Sequence, residues 1–112
     1  PNYEADSFDC WVSNPPYIKS GDIARLPRDV QQEPRLALDG GEDGLDYFRR
    51  IIDGVAETGC LRRGGFLFLE IGDGQAESLE GMLSENSFYE TRGFIKDYVG
   101  VDRIAVVIRE SI

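Results

Sequence analysis

The sequence predicts an α/β protein whose sheet is mainly parallel and closes at one edge with an antiparallel hairpin. Strand-type segments alternate with helix-type segments, an apolar run of strand length lies between glycines, and two β-rich segments follow one another at the end. Alternating strands and helices favour a parallel sheet with right-handed crossovers, and adjacent strands joined by a short turn favour a hairpin. We therefore expect about four strands with two or three helices, an arrangement like half of a doubly wound sheet.

The first predicted strand is followed by an unusually long loop. The strand covers Phe8–Ser13 and ends at Asn14-Pro15-Pro16, because two prolines cannot continue a sheet ladder. Residues 17–43 show no sustained period, apart from a short helix that begins near Ser20 and is interrupted at Pro27. Connections usually have about 4–6 residues, and a much longer one is typical of a binding element or lid. The alternative is a loose surface loop.

Two amphipathic helices and three further strands are predicted after this loop. Residues 44–59 have apolar side chains at three- and four-residue spacings, which predicts a helix with Asp43 as its N-cap and Gly59 as its C-cap. Residues 66–71 are almost continuously apolar, which suits a parallel strand buried on both faces. The remaining predicted elements are a helix at 75–85 and strands at 88–97 and 103–109.

Composition excludes several classes of function. The chain has 112 residues and a net charge of −9, unlike a free-standing nucleic-acid-binding domain with its basic face. It has no histidine, which excludes Ser-His-Asp and Cys-His systems and zinc sites with histidine ligands. We predict no metal site. No apolar run approaches the roughly 18 residues of a membrane span, so we expect a soluble chain. Cys10 and Cys60 are far apart, and we predict two buried free thiols in a reducing cytosol.

The segment Asn14-Pro15-Pro16-Tyr17 is the strongest candidate for chemistry. It follows a strand, and ligands of open α/β sheets bind beyond the carboxyl ends of strands. The Asn14 side-chain oxygen and a proline-fixed carbonyl can both accept hydrogen bonds from one planar NH₂ group and so orient its nitrogen for attack. Tyr17 offers a flat face for stacking on a planar group. The alternative is a proline-rich turn in which Asn14 caps the local backbone.

The same segment is similar to the signature of S-adenosylmethionine-dependent methyltransferases that act on planar amino or amide nitrogens. Continued to Ile18 and combined with segments further along, it closely resembles the HemK/PrmC family, the protein-(glutamine) methyltransferases of peptide-chain release factors. The resemblance covers the chain from just before Phe8 to about Val107. The other segments that carry it are, in order, Glu33-Pro34, Ala37-Leu38, Gly40-Gly41, Asp43-Gly44-Leu45, residues 64–72, Gln75, Lys96-Asp97, Gly100, Asp102 and Arg103.

The resemblance implies a partial, Rossmann-like class I methyltransferase fold and a cytoplasmic enzyme. Its reaction would transfer a methyl group from S-adenosylmethionine to the side-chain amide nitrogen of the glutamine in the Gly-Gly-Gln motif of bacterial class 1 release factors. The resemblance further implies that Asn14 contacts the methyl donor, that Glu33 lies in a substrate-side loop and that Glu70 ends a central strand near the pocket. Glu33 is counted among the substrate-binding residues, but for Glu33 and Glu70 alike we expect structural support rather than direct chemistry. The residues implied to hold the glutamine amide are Asn14, Pro15, Pro16 and Tyr17.

Three features of the family find no counterpart in this sequence: its amino-terminal release-factor-binding domain, its glycine-rich cofactor loop and its ribose-binding acidic residue. We therefore expect residues 1–112 to be the carboxyl-terminal part of one methyltransferase domain, and to bind S-adenosylmethionine poorly or not at all alone. Residues 8–12 would then form an exposed edge strand, which predicts self-association.

Two other functions stay open at this point. One is an amino-methyltransferase acting on adenine in nucleic acid, which uses a similar motif at a strand end. The charge of −9 argues against direct contact with nucleic acid. The other is a non-catalytic α/β segment that only mediates association.

Overall fold

Four strands form one mixed sheet within residues 4–110, the part of the chain that this computed structural model describes. In chain order, the strands are β1 (Phe8–Ser13), β2 (Leu61–Glu70), β3 (Tyr89–Lys96) and β4 (Asp102–Arg109). β1 pairs with β2 in parallel, whereas β4 is antiparallel to both β2 and β3. The four strands and the final hairpin are confirmed, but the sheet is less parallel than predicted, because β4 lies between β2 and β3. Residues 1–3 and 111–112 of the predicted domain lie outside the described residues. Across the sheet, the strands lie in the order β1-β2-β4-β3.

Both predicted long helices are present, each slightly shorter than expected. α2 covers Asp46–Thr58 and α3 covers Ala76–Ser84. The predicted short helix near Ser20 is a 3₁₀ segment, Ser20–Arg25, which ends before Pro27, and a one-turn helix, α1, follows at Arg28–Gln31. A second 3₁₀ segment covers Arg35–Ala37. Within residues 4–110, no helix is both long enough and apolar enough to cross a membrane.

One of the two predicted caps of α2 is confirmed. Gly59 ends the helix in the left-handed conformation with φ of 62°, which a residue without a β-carbon adopts at little cost. The N-cap prediction was wrong, because the residue that precedes the helix is Leu45. Asp43 instead accepts a hydrogen bond from the Leu45 N–H at 3.0 Å and forms an ion pair with Arg49. Asp43 therefore stabilises the turn before α2 without occupying the cap position.

One face of the sheet is buried and the other is largely open. Side chains on β2 and β4 pack against α2 and α3, and Leu67 and Leu69 are fully buried. On the opposite face, Phe66 is 39% exposed and Val12 is 75% exposed. The prediction that the apolar strand is buried on both faces was therefore wrong, because both long helices of the described region pack on the same face. The other buried members of this core are Leu45, Phe48, Ile52, Val55, Leu61, Ile71, Leu79, Leu83, Tyr89, Ala105 and Val107.

β1 is an edge strand of the described sheet, and the face on which each of its side chains lies decides the state of its cysteine. Trp11 points toward the core, so its neighbour Cys10 points to the open face and is exposed. Cys60 is buried, and both thiols are free. The prediction of two buried thiols was thus wrong for Cys10. β2 also begins earlier than predicted, at Leu61, because β1 pairs with it from Phe8 onward.

The long loop after β1 is folded back on itself. Ile18 and Asp39 form a parallel β-bridge, and the carboxylate of Asp39 accepts hydrogen bonds from the Ser20 hydroxyl at 2.5 Å and the Gly41 N–H at 2.9 Å. These bonds lower the pKa of the Asp39 carboxyl group, and the bond from the Ser20 hydroxyl has the largest effect. Ile23 and Leu38 are buried. This network argues against a loose surface loop.

Candidate active site

The carboxyl ends of β1 and β2 meet at one edge of the sheet, where β4 begins. Ser13 pairs with Leu69, which places Asn14 beside the end of β2 at Glu70. Glu70 in turn pairs with Ile104 near the start of β4. A cavity of about 250 Å³ opens on the uncovered face at this edge. It is lined by Val12, Ser13, Asn14, Phe68, Glu70, Arg103 and Ile104.

Asn14 presents an uncommitted amide to this cavity. Its side chain is exposed and makes no hydrogen bond to any of residues 4–110. Asn86 shows the contrasting arrangement, because its side-chain oxygen accepts the Phe88 N–H at 3.0 Å. The alternative in which Asn14 caps the local backbone is therefore not what the structure shows. The amide oxygen and NH₂ of Asn14 are both available to a ligand.

The other three residues of the motif lead away from this cavity. Pro15 is buried, and Pro16 and Tyr17 are half-buried. Tyr17 lines a second cavity of about 600 Å³, together with the turn between β2 and α3. The predicted site residues 14–17, referred to below as the wall, thus run from the first cavity, which Asn14 lines, to the second cavity, which Tyr17 lines. The second cavity is lined by Tyr17, Ile18, Lys19, Asp22, Leu26, Asp43, Leu45, Gly72, Asp73, Gly74, Gln75 and Ser78.

A charged pair in the β3–β4 hairpin fixes one wall of the Asn14 cavity. The Arg103 Nε donates a hydrogen bond to Asp97 Oδ2 at 2.9 Å. Asp97 also accepts the Val101 and Val99 N–H groups, each at 3.0 Å, and these bonds together with Arg103 lower the pKa of its carboxyl group. The same bond to Asp97 raises the pKa of Arg103, to which the nearby Tyr17 and Asp73 add smaller effects. Arg103 is therefore a fixed cation at the site edge.

Glu33 lies apart from the rest of the predicted site. It is exposed, its N–H donates to the Val30 carbonyl at 3.0 Å, and it lines neither of the two cavities. Its role in substrate binding remains a prediction. Glu70 does lie beside Asn14, as expected for a residue near the pocket. Among residues 4–110, no group of three or more Cys, Asp or Glu side chains is arranged to hold a metal ion.

Two residues at this edge had no role assigned from the sequence. Arg103 reaches the cavity because β4 runs antiparallel to β2, and the pairing of Glu70 with Ile104 could not be read from the sequence. Gln75 was noted only as part of a motif, yet its side chain contacts Tyr17, 58 positions earlier in the chain. Long-range pairing of this kind leaves no periodic signal in one sequence.

Curated proteins of one kind are similar to nearly the whole chain. A release factor glutamine methyltransferase of Moorella thermoacetica is 45% identical over 104 residues, which are 93% of this chain and 36% of that protein. The Geobacter sulfurreducens protein of the same name is 46% identical over 98 residues (87% and 34%), and that of Clostridium acetobutylicum is 40% identical over 112 residues (97% and 38%). Over nearly its whole length, the chain is therefore similar to part of proteins named release factor glutamine methyltransferase.

This similarity confirms the predicted resemblance to the family and fits the observed architecture. The four-stranded mixed sheet with its two long helices is consistent with part of a class I methyltransferase fold. The chain spans little more than a third of the length of these relatives. No model of a known protein family matches it.

Proposed function

We propose that the protein containing this chain transfers a methyl group from S-adenosylmethionine to the side-chain amide nitrogen of a glutamine in peptide-chain release factors. The observation that carries the proposal is the uncommitted Asn14 amide at the carboxyl end of β1, followed by Pro15-Pro16-Tyr17. It occurs in a chain related to release factor glutamine methyltransferases. The proposed acceptor is the glutamine of the Gly-Gly-Gln motif.

The acceptor site is assigned to residues 14–17. The Asn14 side-chain oxygen and a backbone carbonyl fixed by Pro15 and Pro16 would accept hydrogen bonds from the glutamine NH₂ group. The prolines hold φ near −65°, so these acceptors need little reorganisation when the substrate arrives. The ring of Tyr17 would stack on the planar amide. No general base is required among residues 14–17, because the acceptor nitrogen can lose its proton to solvent after the methyl group is transferred. The absence of histidine from these 112 residues is consistent with such a step.

The methyl donor is assigned to the Asn14 side of the wall. When bound, S-adenosylmethionine supplies a methyl group on a positively charged sulfur, and the acceptor nitrogen takes the methyl group, displaces the neutral thioether and loses one proton. The cavity beside Asn14 has an apolar wall with polar groups at its rim, which suits part of such a donor. Its volume of about 250 Å³ is below the roughly 300–1,000 Å³ of complete ligand pockets. We therefore propose that Asn14 holds one end of the donor.

This volume agrees with the expectation that the chain alone binds S-adenosylmethionine poorly. Calorimetric titration of S-adenosylmethionine into the 112-residue chain tests that expectation directly. Heat of binding that fits micromolar affinity would contradict it, and would show that the cavity beside Asn14 is more complete than we propose. No measurable heat supports it.

The remaining parts of the proposal concern partners and location. A release factor as substrate implies work in the cytoplasm, and Glu33 is assigned to the substrate side because its exposed side chain is free to meet a protein. We propose no direct contact with nucleic acid, given the net charge of −9. The edge position of β1, with Cys10 and Val12 exposed, supports self-association of the chain through this strand.

The function is tested by offering two acceptors to the protein that contains this chain. S-adenosylmethionine with a radioactive methyl group is incubated with a release factor, or with DNA, and incorporation is measured for each. The proposal predicts label in the release factor and none in the DNA. A matched control is a release factor in which the Gly-Gly-Gln glutamine is replaced by glutamate, which should remain unlabelled. Label in DNA alone would favour the adenine methyltransferase instead.

A further inference from the structure

Gln75 joins three separate segments of the chain beneath Tyr17. Its side-chain Oε1 accepts the Gly72 N–H at 2.8 Å. Its Nε2 donates to the Tyr17 carbonyl at 3.0 Å and, more weakly, to the Gly44 carbonyl at 3.4 Å. Both ends of the amide therefore make hydrogen bonds. The side chain links the wall of residues 14–17, called the acceptor wall from here on, to the turn before α2 and the turn before α3.

The space around this link is too narrow for ordinary side chains. A β-carbon on Gly72 would lie 2.7 Å from Tyr17 Cδ1, and one on Gly44 would lie 2.5 Å from the Tyr17 carbonyl oxygen. A β-carbon on Gly40 would lie 2.7 Å from Tyr17 Cα and 2.9 Å from the Pro16 carbonyl oxygen. Backbone from the turn before α2 and the turn before α3 thus lies directly against Tyr17, and it can do so only because these three residues are glycines.

The hydrogen-bond pattern requires an amide at position 75. A donor must face the Tyr17 and Gly44 carbonyls while an acceptor faces the Gly72 N–H, and only a side chain with both groups supplies them. A carboxylate could still accept from Gly72, but it would place negative charge against two carbonyl oxygens. An aliphatic side chain would leave all three backbone groups without this partner.

The backbone of Gln75 is itself fixed by the start of α3. The Leu79 N–H donates to the Gln75 carbonyl at 3.0 Å, and the Gln75 N–H donates to the Gly72 carbonyl at 3.2 Å. The side chain therefore extends from a rigid point rather than from a mobile loop. Its contact sets the position of the Tyr17 carbonyl, and Tyr17 directly follows the two prolines of the acceptor wall.

We propose that Gln75 is a positioning residue for the acceptor glutamine, acting through Tyr17. This inference rests on the function proposed above. Loss of its bond to Tyr17 frees the end of the acceptor wall, so the acceptor binds less well while the methyl donor, on the Asn14 side, is unaffected. We expect the KM for an acceptor peptide containing Gly-Gly-Gln to rise on the order of tenfold, the effect of about one hydrogen bond.

The test compares Gln75→Glu and Gln75→Leu with the unmodified protein. The glutamate variant keeps the acceptor for Gly72 and loses the donor to Tyr17, whereas the leucine variant loses both. Gln32 supplies the matched controls, Gln32→Glu and Gln32→Leu, because its side chain is exposed and makes no hydrogen bond within residues 4–110. The measurements are the KM for the peptide, kcat, the Kd for S-adenosylmethionine and the melting temperature.

The proposal expects a raised peptide KM in both Gln75 variants, at a temperature where each is folded, with the Kd for S-adenosylmethionine unchanged. The Gln32 variants should match the unmodified protein. If Gln75 has a purely structural role, its variants will have a lower melting temperature but an unchanged KM when folded, and this result would overturn the inference. If Gln75→Leu fails to fold, the KM of Gln75→Glu alone decides between the two roles. An unmodified protein that methylates no glutamine peptide overturns the proposed function as well.

Discussion

Replacing Asn14 by alanine should separate activity from stability. The Asn14 side chain is exposed and makes no hydrogen bond within residues 4–110, so its removal breaks no internal contact. Surface substitutions of this kind usually change the free energy of unfolding by less than about 0.5 kcal/mol. We therefore expect urea denaturation of Asn14→Ala in the protein that contains this chain to give nearly the unmodified midpoint.

The same substitution should be severe for catalysis. Loss of one preorganised hydrogen-bonding group at a reacting centre costs about 2.7–4 kcal/mol, or a factor of about 10²–10³ in rate. The assay is kcat/KM for methylation of a Gly-Gly-Gln peptide under saturating S-adenosylmethionine. We therefore expect Asn14→Ala to lower kcat/KM strongly while hardly changing the free energy of unfolding. This combination is expected of a side chain that binds a ligand and makes no contact within the fold.

Asn86→Ala is the matched control, because this asparagine has a structural role. Its side chain accepts the Phe88 N–H at 3.0 Å just before β3, at the opposite edge of the sheet from Asn14. Its loss should cost about 0.5–1.5 kcal/mol of stability with kcat/KM unchanged. Near-unmodified turnover in Asn14→Ala, or a stability loss equal to that of Asn86→Ala, would refute the role assigned to Asn14.

Three further predictions concern pH, burial and association. Hydrogen bonds from Arg49 and from the Leu45 N–H lower the pKa of Asp43 from 3.8 to about 2, so its ionised form stabilises the fold above pH 3.8 and this contribution is lost as the pH falls toward 2. Urea midpoints across that range should fall less in Asp43→Asn, and an equal fall would contradict this. Tyr89→Phe removes a buried bond to the Ile52 carbonyl at 2.6 Å and should cost about 1 kcal/mol in denaturation. Since burial raises the pKa of Tyr89 above its ordinary 10.0, the stability of the unmodified protein should also fall above pH 10, and more steeply than that of the variant. Val12→Lys should abolish concentration-dependent self-association of the 112-residue chain in sedimentation, and a monomeric unmodified chain would remove the basis for that prediction.

Local chemistry made several parts of the fold predictable. The prolines after Ser13 end β1, and glycine in the left-handed conformation ends α2 at Gly59, because both residues have strong backbone preferences. The helical stripe of residues 44–59 gave α2 within two residues at each end, since one face of the helix must be buried. Such signals depend only on neighbours within a few positions.

Features set by the rest of the sheet could not be predicted in the same way. The apolar residues of β2 suggested burial on both faces, but only the helix-facing side is covered among the described residues, and Phe66 remains 39% exposed. The exposure of Cys10 follows from its place on the uncovered face of the sheet, and the arrival of Arg103 at the site follows from the antiparallel course of β4. Each depends on how distant elements pack, which neither periodicity nor spacing reveals.

The candidate site likewise has one part that the sequence predicts and one part that it does not. Residues 14–17 could be singled out because an unusual motif follows a strand, and the structure leaves the Asn14 amide uncommitted there. The support of Tyr17 by Gln75 could not, because contact between positions 17 and 75 requires the turns before α2 and α3 to pack against Tyr17. The sequence thus identified residues 14–17, which are assigned to the substrate, but not Gln75, which fixes the position of Tyr17.

The most direct test of the account is to locate the methyl group. A release factor treated with S-adenosylmethionine and the protein that contains this chain is digested and sequenced by fragmentation mass spectrometry. We expect one added methyl group, on the side-chain amide nitrogen of the Gly-Gly-Gln glutamine, and far less of it when the protein carries Asn14→Ala. A methyl group on any other residue, or none on the release factor, would contradict the proposed function.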